Sequence, residues 1–219
     1  MKRVLEPEIM DGLEQAQAYA QADFSSENQA FVDHFVSLYP ECTEGFVLDL
    51  GCGPADIPIR LVQKQPSLQV LGIDASVPML DLGRVAIENA GLTERITLEC
   101  QRIQEVKLQE RADAVISNSL VHHIPNALQF WYAVKILAKP GAPVLVMDLL
   151  RPDSPQDAEA MVNQYASQES AQLQKDFYNS LLSAWTEDEV AAQLAELNLS
   201  RLMIDVQDDR HWIVSGQVF

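Results

Sequence analysis

Positive charge is scarce in this sequence: fifteen Lys and Arg stand against thirty-two Asp and Glu, for a net charge of −17. A nucleic-acid partner needs cations to displace the counterions of its phosphates, and an anionic membrane surface needs them too. Neither nucleic acid nor membrane is therefore expected as a partner. No apolar run is long enough to cross a bilayer. Met1-Lys2-Arg3 leads into Val4-Leu5-Glu6-Pro7 without an apolar core segment, so no signal peptide is expected. Cysteine is sparse as well. Cys42, Cys52 and Cys100 show neither metal-type spacing nor an even set for disulfides, which suits a reducing cytoplasm. His34, His122, His123 and His211 contain no i, i+4 pair, so no metal is expected. The chain of 219 residues has room for one good core and not for two comfortable domains.

What is present is an alternation. Residues 7–22 are rich in Glu, Gln and Ala and predict a helix. A second is predicted over 26–38, where Phe31, Phe35 and Leu38 recur at helical spacing before Pro40. Short apolar runs then predict strands at 46–50, 68–74, 96–99, 113–118 and 143–149, with helices between them. Asp56 and Ser76 are the expected caps of the two helices that carry Pro58 and Pro78 in their first turns. Strands that are apolar throughout, alternating with helices, predict a parallel sheet covered on both faces. Residues 155–182 read as two helical pieces broken near 167–170. Thr186-Glu187-Asp188-Glu189 reads as a capping box, and 202–206 with 211–218 as an antiparallel hairpin.

The chemistry centres on Leu48-Asp49-Leu50-Gly51-Cys52-Gly53-Pro54-Ala55-Asp56. A strand ends in Gly-x-Gly and a helix follows at once, which lets a ligand approach the backbone beyond the strand end. The third glycine of the dinucleotide fingerprint is replaced by Asp56. Asp49 and Asp56 would repel a pyrophosphate and suit a ligand bearing positive charge. Asp74 ends the second strand, where a carboxylate can accept both ribose hydroxyls.

These motifs resemble those of the class I S-adenosylmethionine-dependent methyltransferases. Val47-Leu48-Asp49-Leu50-Gly51-Cys52-Gly53-Pro54 resembles the family's first motif. Val70-Leu71-Gly72-Ile73-Asp74-Ala75-Ser76 with Met79-Leu80 resembles the second-strand motif. Asp113-Ala114-Val115-Ile116-Ser117-Asn118-Ser119-Leu120 followed by His122-His123 resembles the fourth, and Leu137-Ala138-Lys139-Pro140-Gly141-Ala142 with Val144-Leu145-Val146-Met147-Asp148 the fifth. The resemblance covers residues 44–150 strongly and the last hairpin loosely.

It implies an α/β fold, Rossmann-like, with a seven-stranded mostly parallel sheet, helices on both faces and an antiparallel C-terminal hairpin. One methyltransferase domain is expected: a helical lid over 1–45, a cofactor-binding core over 46–150, a helical substrate-side insertion over 151–199 and the terminal hairpin over 200–219. The expected cofactor is S-adenosylmethionine, with S-adenosylhomocysteine as product. Asp49, Gly51, Cys52 and Gly53 would surround its methionine part. Asp74 would hold the ribose, and Ala75 and Met79 would border the adenine. Asn118, Ser119 and Leu120 would sit near the sulfonium. After the third strand the family often has Asp, but here Gln101, Arg102 and Ile103 stand there, and Gln101 could bond the adenine instead. Tyr19 resembles the aromatic residue such lids present, and reads equally as a helix residue packed on the core.

On the acceptor side the expectation is a small molecule with an O, N or C nucleophile. His122 or His123 could take its proton. As neighbours, at most one is expected to point inward; the other reading is that one caps a helix while the other packs. Arg151, Tyr178 and Trp185 are substrate-side candidates, though Arg151 also reads as a surface charge. The trio Asp209-Arg210-His211 reads equally well as a structural ion pair. Two other readings stay open: a protein that binds the cofactor, or a modified one, without catalysis, and an NAD-dependent oxidoreductase, which Asp49, Asp56 and the missing third glycine oppose.

Overall fold

The computed structural model describes residues 1–6, 12, 16, 18, 19 and 22–219. The predicted helix over 7–22 lies largely outside these; of its residues, Ala16, Ala18 and Tyr19 are helical. The chain then runs α1 (Ser25–Leu38), β1 (Glu44–Leu50), α2 (Asp56–Lys64), β2 (Ser67–Asp74), α3 (Val77–Asn89), β3 (Ile96–Cys100), β4 (Ala114–Asn118), α4 (Ala127–Leu137) and β5 (Pro143–Leu149). Three helices follow, α5 (Pro155–Tyr165), α6 (Ala171–Ser183) and α7 (Glu187–Glu196), and then β6 (Leu202–Val206) and β7 (His211–Gln217). The seven strands form one sheet in the order β3-β2-β1-β4-β5-β7-β6. The first five pair in parallel; β7 pairs antiparallel with both β5 and β6.

Apolar runs give this sheet two buried faces because neighbouring side chains point to opposite sides of a strand. Val47, Ile116 and Leu145 pack with Phe35 on one face. Leu48, Val115 and Val146 pack with Trp131 and Trp212 on the other. A strand buried on both sides has no polar alternation to show, which is why β1, β4 and β5 read as continuous apolar runs.

Helix starts divide into one that follows the local sequence and one that does not. Ser76 Oγ accepts the Met79 N–H at 3.4 Å and caps α3, with Pro78 in its first turn. The predicted cap of α2, Asp56, is a correction. Gly51, Gly53 and Ala55 take φ of 78°, 50° and 66°, so the chain has already turned before Asp56, and Ala55 occupies the cap position without a side-chain bond. The Asp56 carboxylate accepts instead from Arg60 Nε at 2.7 Å and Asn28 Nδ2 at 2.9 Å.

Strand order reverses between β1 and β4: from β1 the chain steps outward to β2 and β3, then returns to β4 on the other side. The loops leaving these two strands diverge to opposite faces and open a crevice at the carboxyl edge, where ligands of such sheets bind.

Candidate active site

A cavity of about 310 Å³ occupies that crevice. Its floor is the glycine turn after β1. A Cβ on Gly51 would lie 2.8 Å from the Leu120 side chain, whereas one on Gly53 would meet nothing within 4 Å. Gly51 is thus required by packing, and Gly53 by its left-handed backbone and by the open space above it.

Asp74 is pinned at the end of β2. Its Oδ2 accepts the Gly53 N–H at 2.9 Å and its Oδ1 the Ser76 N–H at 2.8 Å. These two donors hold the carboxylate in place, with acceptor capacity left over, at a position that lines the cavity. Burial raises its pKa against the pull of these backbone donors. Ala75, Met79, Gln101, Arg102 and Ile103 continue the wall on this side. Gln101 turns its amide toward Glu99, donating from Nε2 to Oε2 at 2.6 Å, while its N–H donates to the Asp74 carbonyl at 3.0 Å. Asn118, Ser119 and Leu120 line the opposite wall, with Ser119 at φ 55°. The buried Asn118 Oδ1 has no hydrogen-bond partner. Tyr19 stands over this end, its ring centroid 5.0 Å from that of Phe24. Burial, with the charges of Asp74, Asp148 and Asp56, pushes its phenol up to about 12.

Asp49 and Cys52 are buried and do not line the cavity. Asp49 Oδ2 has no partner, and burial together with the Asp74 charge pushes the carboxyl up to about 8. Asp56, neutralised by Arg60, is also off the cavity wall. The acidic pair facing the ligand space thus differs from the sequence expectation of Asp49 with Asp56: Asp74 is at the wall and Asp49 lies beneath it.

The other end of the cavity is built on a 3-10 turn, Val121–His123. Because three residues complete one turn there, His122 and His123 do not alternate as in a strand. Both line the cavity, with ring centroids 4.2 Å apart. The expectation that only one could point inward is corrected, and the residue that caps the next helix is Asn126. Asp148 anchors the turn from β5: its Oδ1 lies 2.5 Å from His122 Nδ1, and its Oδ2 accepts the N–H groups of Val121 at 2.5 Å and His122 at 3.3 Å. Burial opposes charge on both partners, yet their attraction prevails, holding Asp148 below the usual carboxylate range and raising His122.

Three substrate-side candidates lie elsewhere. Arg151 is buried away from the cavity, with Nη2 donating to Glu189 Oε1 at 2.7 Å and Nη1 to the Ala184 carbonyl at 3.3 Å. It ties β5 to α7 and is not a surface charge. Trp185 donates Nε1–H to the Val121 carbonyl at 3.1 Å and carries the Arg3 guanidinium on its ring. Tyr178 packs with Leu181 and Ala158. The α6 residues that do reach the cavity are Leu173, Asp176, Phe177 and Ser180, on the neighbouring helical face. At the hairpin, Arg210 and His211 line the cavity while Asp208 holds His211 at 3.1 Å and Arg210 covers the Tyr165 ring at 3.9 Å. Glu6, which no sequence pattern singles out, lies 3.4 Å from His123 Nδ1. Nothing short of the tertiary fold relates residue 6 to residue 123.

Comparison with known proteins follows this geometry. Residues 47–141 match a family model described as a methyltransferase domain. The chain is 25% identical over 113 residues to the ubiquinone/menaquinone biosynthesis C-methyltransferase UbiE of Geobacter sp. (strain M21), covering 51% of this chain and 48% of that protein. It is 28% identical over 143 residues to a probable fatty acid methyltransferase of Pseudomonas putida, covering 62% and 36% respectively. The matches thus span about half or less of the length of these relatives. Among solved structures, a putative S-adenosylmethionine-dependent methyltransferase of Methanococcus maripaludis superposes with a TM-score of 0.72 at 16% identity, over 100% of this chain and 98% of that one. The plantazolicin methyltransferase BamL, in complex with a triazolic desmethylPZN analog and SAH, does so with a TM-score of 0.73 at 13% identity, over 93% and 90%. These structural likenesses are of fold.

Proposed function

We propose that this chain, whose residues 47–141 match a methyltransferase-domain model, is a class I S-adenosylmethionine-dependent methyltransferase that transfers a methyl group from S-adenosylmethionine to a small-molecule acceptor by in-line displacement. The observation that carries this reading is Asp74, pinned by the Gly53 and Ser76 N–H groups at the rim of the cavity. A fixed carboxylate there suits a ribose diol. The open space over Gly53 admits a ligand against the backbone. The unpartnered oxygen of Asn118 at the wall is an acceptor, and Asp49 beneath it can ionise when a cation binds, which together favour an ammonium-bearing ligand over a pyrophosphate.

In this reading Asp74 holds the ribose, Ala75 and Met79 flank the adenine with Gln101, Arg102 and Ile103 beside them, and Gly51 and Gly53 make room for the amino-acid part. Asn118, Ser119 and Leu120 border the reacting end. The bound cofactor supplies a methyl carbon already activated by its sulfonium. The protein's share is alignment and exclusion of water, for which Tyr19 and Phe24 are placed on one side and Phe177 on the other. His122 and His123 stand where an acceptor's proton would be taken. Relatives named for ubiquinone/menaquinone biosynthesis and for fatty acids, and a neighbour solved with a desmethylPZN analog, span several acceptor classes.

Calorimetric titration of the purified chain with S-adenosylmethionine, S-adenosylhomocysteine and NAD tests the reading. Binding of the first two without NAD is expected; NAD alone would overturn it. Asp74→Ala removes charge-assisted bonds of about 1.5–3 kcal/mol each and is expected to weaken binding on the order of a hundredfold with an unchanged circular dichroism spectrum. Product analysis after turnover separates an enzyme from a binding protein.

A further inference from the structure

The N-terminal segment is tied down at the acceptor end of the cavity. Arg3 Nη2 donates to the carbonyls of His122 at 2.7 Å and Ile124 at 3.0 Å, its guanidinium lies 3.7 Å over the Trp185 ring, and the Val4 N–H donates to the Leu182 carbonyl at 2.9 Å. This places Glu6, with a side chain only 9% exposed, against the two histidines. Its Oε1 is 3.5 Å from His122 Nε2 and 3.4 Å from His123 Nδ1, and the three ligand atoms lie within 4.8 Å of one another.

Those separations are long for a charge-assisted hydrogen bond, which closes to about 2.7–2.9 Å. The two separations from Glu6 match the edge of a tetrahedron, since an ion bound at about 2.0–2.1 Å holds its ligands about 3.4 Å apart, and the third pair of atoms lies within 4.8 Å, close enough to share one ion after a small adjustment of the imidazole rings. The outer partners that metal ligands require are also in place. His122 presents its other nitrogen, Nδ1, to the buried Asp148 carboxylate at 2.5 Å, which orients the ring and leaves Nε2 for an ion. Glu6 Oε1 accepts from Ser183 Oγ at 2.8 Å and its Oε2 from Ser180 Oγ at 3.3 Å, which fixes the carboxylate. The Glu6 and Asp148 carboxylates give the cluster negative charge that favours a cation, offset in part by the Arg3 guanidinium beside the turn.

We propose that Glu6, His122 and His123 bind one divalent transition-metal ion, with Zn²⁺ the best chemical match, in a site with three protein ligands and a fourth position on the cavity wall. Two imidazoles and one carboxylate form a borderline donor set suited to zinc and its neighbours and unsuited to calcium or magnesium, which take oxygen. The ion takes the place of a proton on Nε2 of His122. The fourth position is open to a Lewis base, either water or a hydroxyl, thiol or amine of the acceptor; only the identity of that fourth ligand rests on the methyl-transfer reading. Spacing along the sequence gave no hint of this site, because two of its ligands are adjacent in a 3-10 turn and the third comes from the other end of the chain.

The test uses the full chain, stripped with a chelator, titrated calorimetrically with Zn²⁺ and then with Co²⁺, whose visible spectrum reports coordination. One ion per chain and a four-coordinate cobalt spectrum are expected. Glu6→Gln and His123→Gln, confirmed as folded by circular dichroism, are each expected to weaken binding by about tenfold or more. His34→Ala, on α1 and outside the cluster, is the control with unchanged affinity. No stoichiometric binding by the folded wild-type chain, or wild-type affinity in both variants, would overturn the site. S-adenosylmethionine affinity measured on the same samples keeps the two readings apart: retained cofactor binding without metal binding sinks the ion alone, and metal binding without cofactor binding sinks the cofactor reading alone.

Discussion

Asp49 sits at the end of β1 with an unpartnered, inaccessible oxygen and a carboxyl pushed up to about 8, by burial first and by the Asp74 charge second. The sign of its effect on stability follows from proton counts. Between the usual carboxylate range and pH 8 the folded chain keeps a proton that the unfolded chain has released, so this residue lowers stability as pH rises through that window. A cationic ligand reverses the preference, because it favours the ionised carboxylate. Binding of S-adenosylmethionine at pH 6–7 is therefore expected to release up to one proton per chain. Affinity should rise by up to about tenfold per pH unit there, the linkage slope for one proton. Titration in two buffers of different ionisation enthalpy measures the release, and Asp49→Asn should abolish it; equal release in that variant would assign the proton to another group.

At the scale of elements, α7 is joined to β5 through one residue that has two tasks. Glu189 closes the capping box, receiving the Thr186 N–H at 3.0 Å, and also receives Arg151 Nη2 at 2.7 Å. Arg151 is buried while the Glu189 side chain is 38% exposed, so water screens the pair and its loss costs less than a fully buried one. Arg151→Met is expected to lower stability by about 1–3 kcal/mol, read by urea denaturation, while cofactor affinity stays at the wild-type value. A selective loss of affinity without loss of stability would return Arg151 to the ligand site. The hairpin shows the same dependence of one element on another. A Cβ on Gly216 would lie 2.1 Å from the Arg201 carbonyl, so the close approach of the chain ahead of β6 requires glycine at that point in β7.

For the molecule as a whole, ligand and fold are linked through the crevice between β1 and β4, since a ligand there touches loops from both halves of the sheet. At a hundred times its dissociation constant a ligand specific for the folded state adds about 2.7 kcal/mol. For a chain of this size that raises the melting temperature by roughly 5–10 °C. S-adenosylhomocysteine is expected to produce this shift in thermal melts, and NAD at the same concentration none. An equal shift with both would mean a crevice that does not discriminate.

The sequence by itself determined the sheet and the glycine-turn end of the crevice. Continuous apolar runs specify strands buried on both sides, the capping residues Ser76 and Thr186 act within one turn of themselves, and the glycine turn and Asp74 belong to a single βαβ unit, so short-range physics places them. Tertiary structure alone decided the rest. Arg151 and Trp185 read as substrate residues until the fold supplied Glu189 and the Val121 carbonyl as partners. Phe177 lines the cavity where Tyr178 was expected, although both pack on the cluster around Leu149 and Ala158, because which helical face meets the cavity is set by tertiary packing. The cluster of Glu6, His122 and His123, with Asp148 behind it, joins residues more than a hundred positions apart in the chain. Local propensity carries no record of such pairs; they exist only once the sheet has closed and the N-terminal segment has bound to the turn after β4.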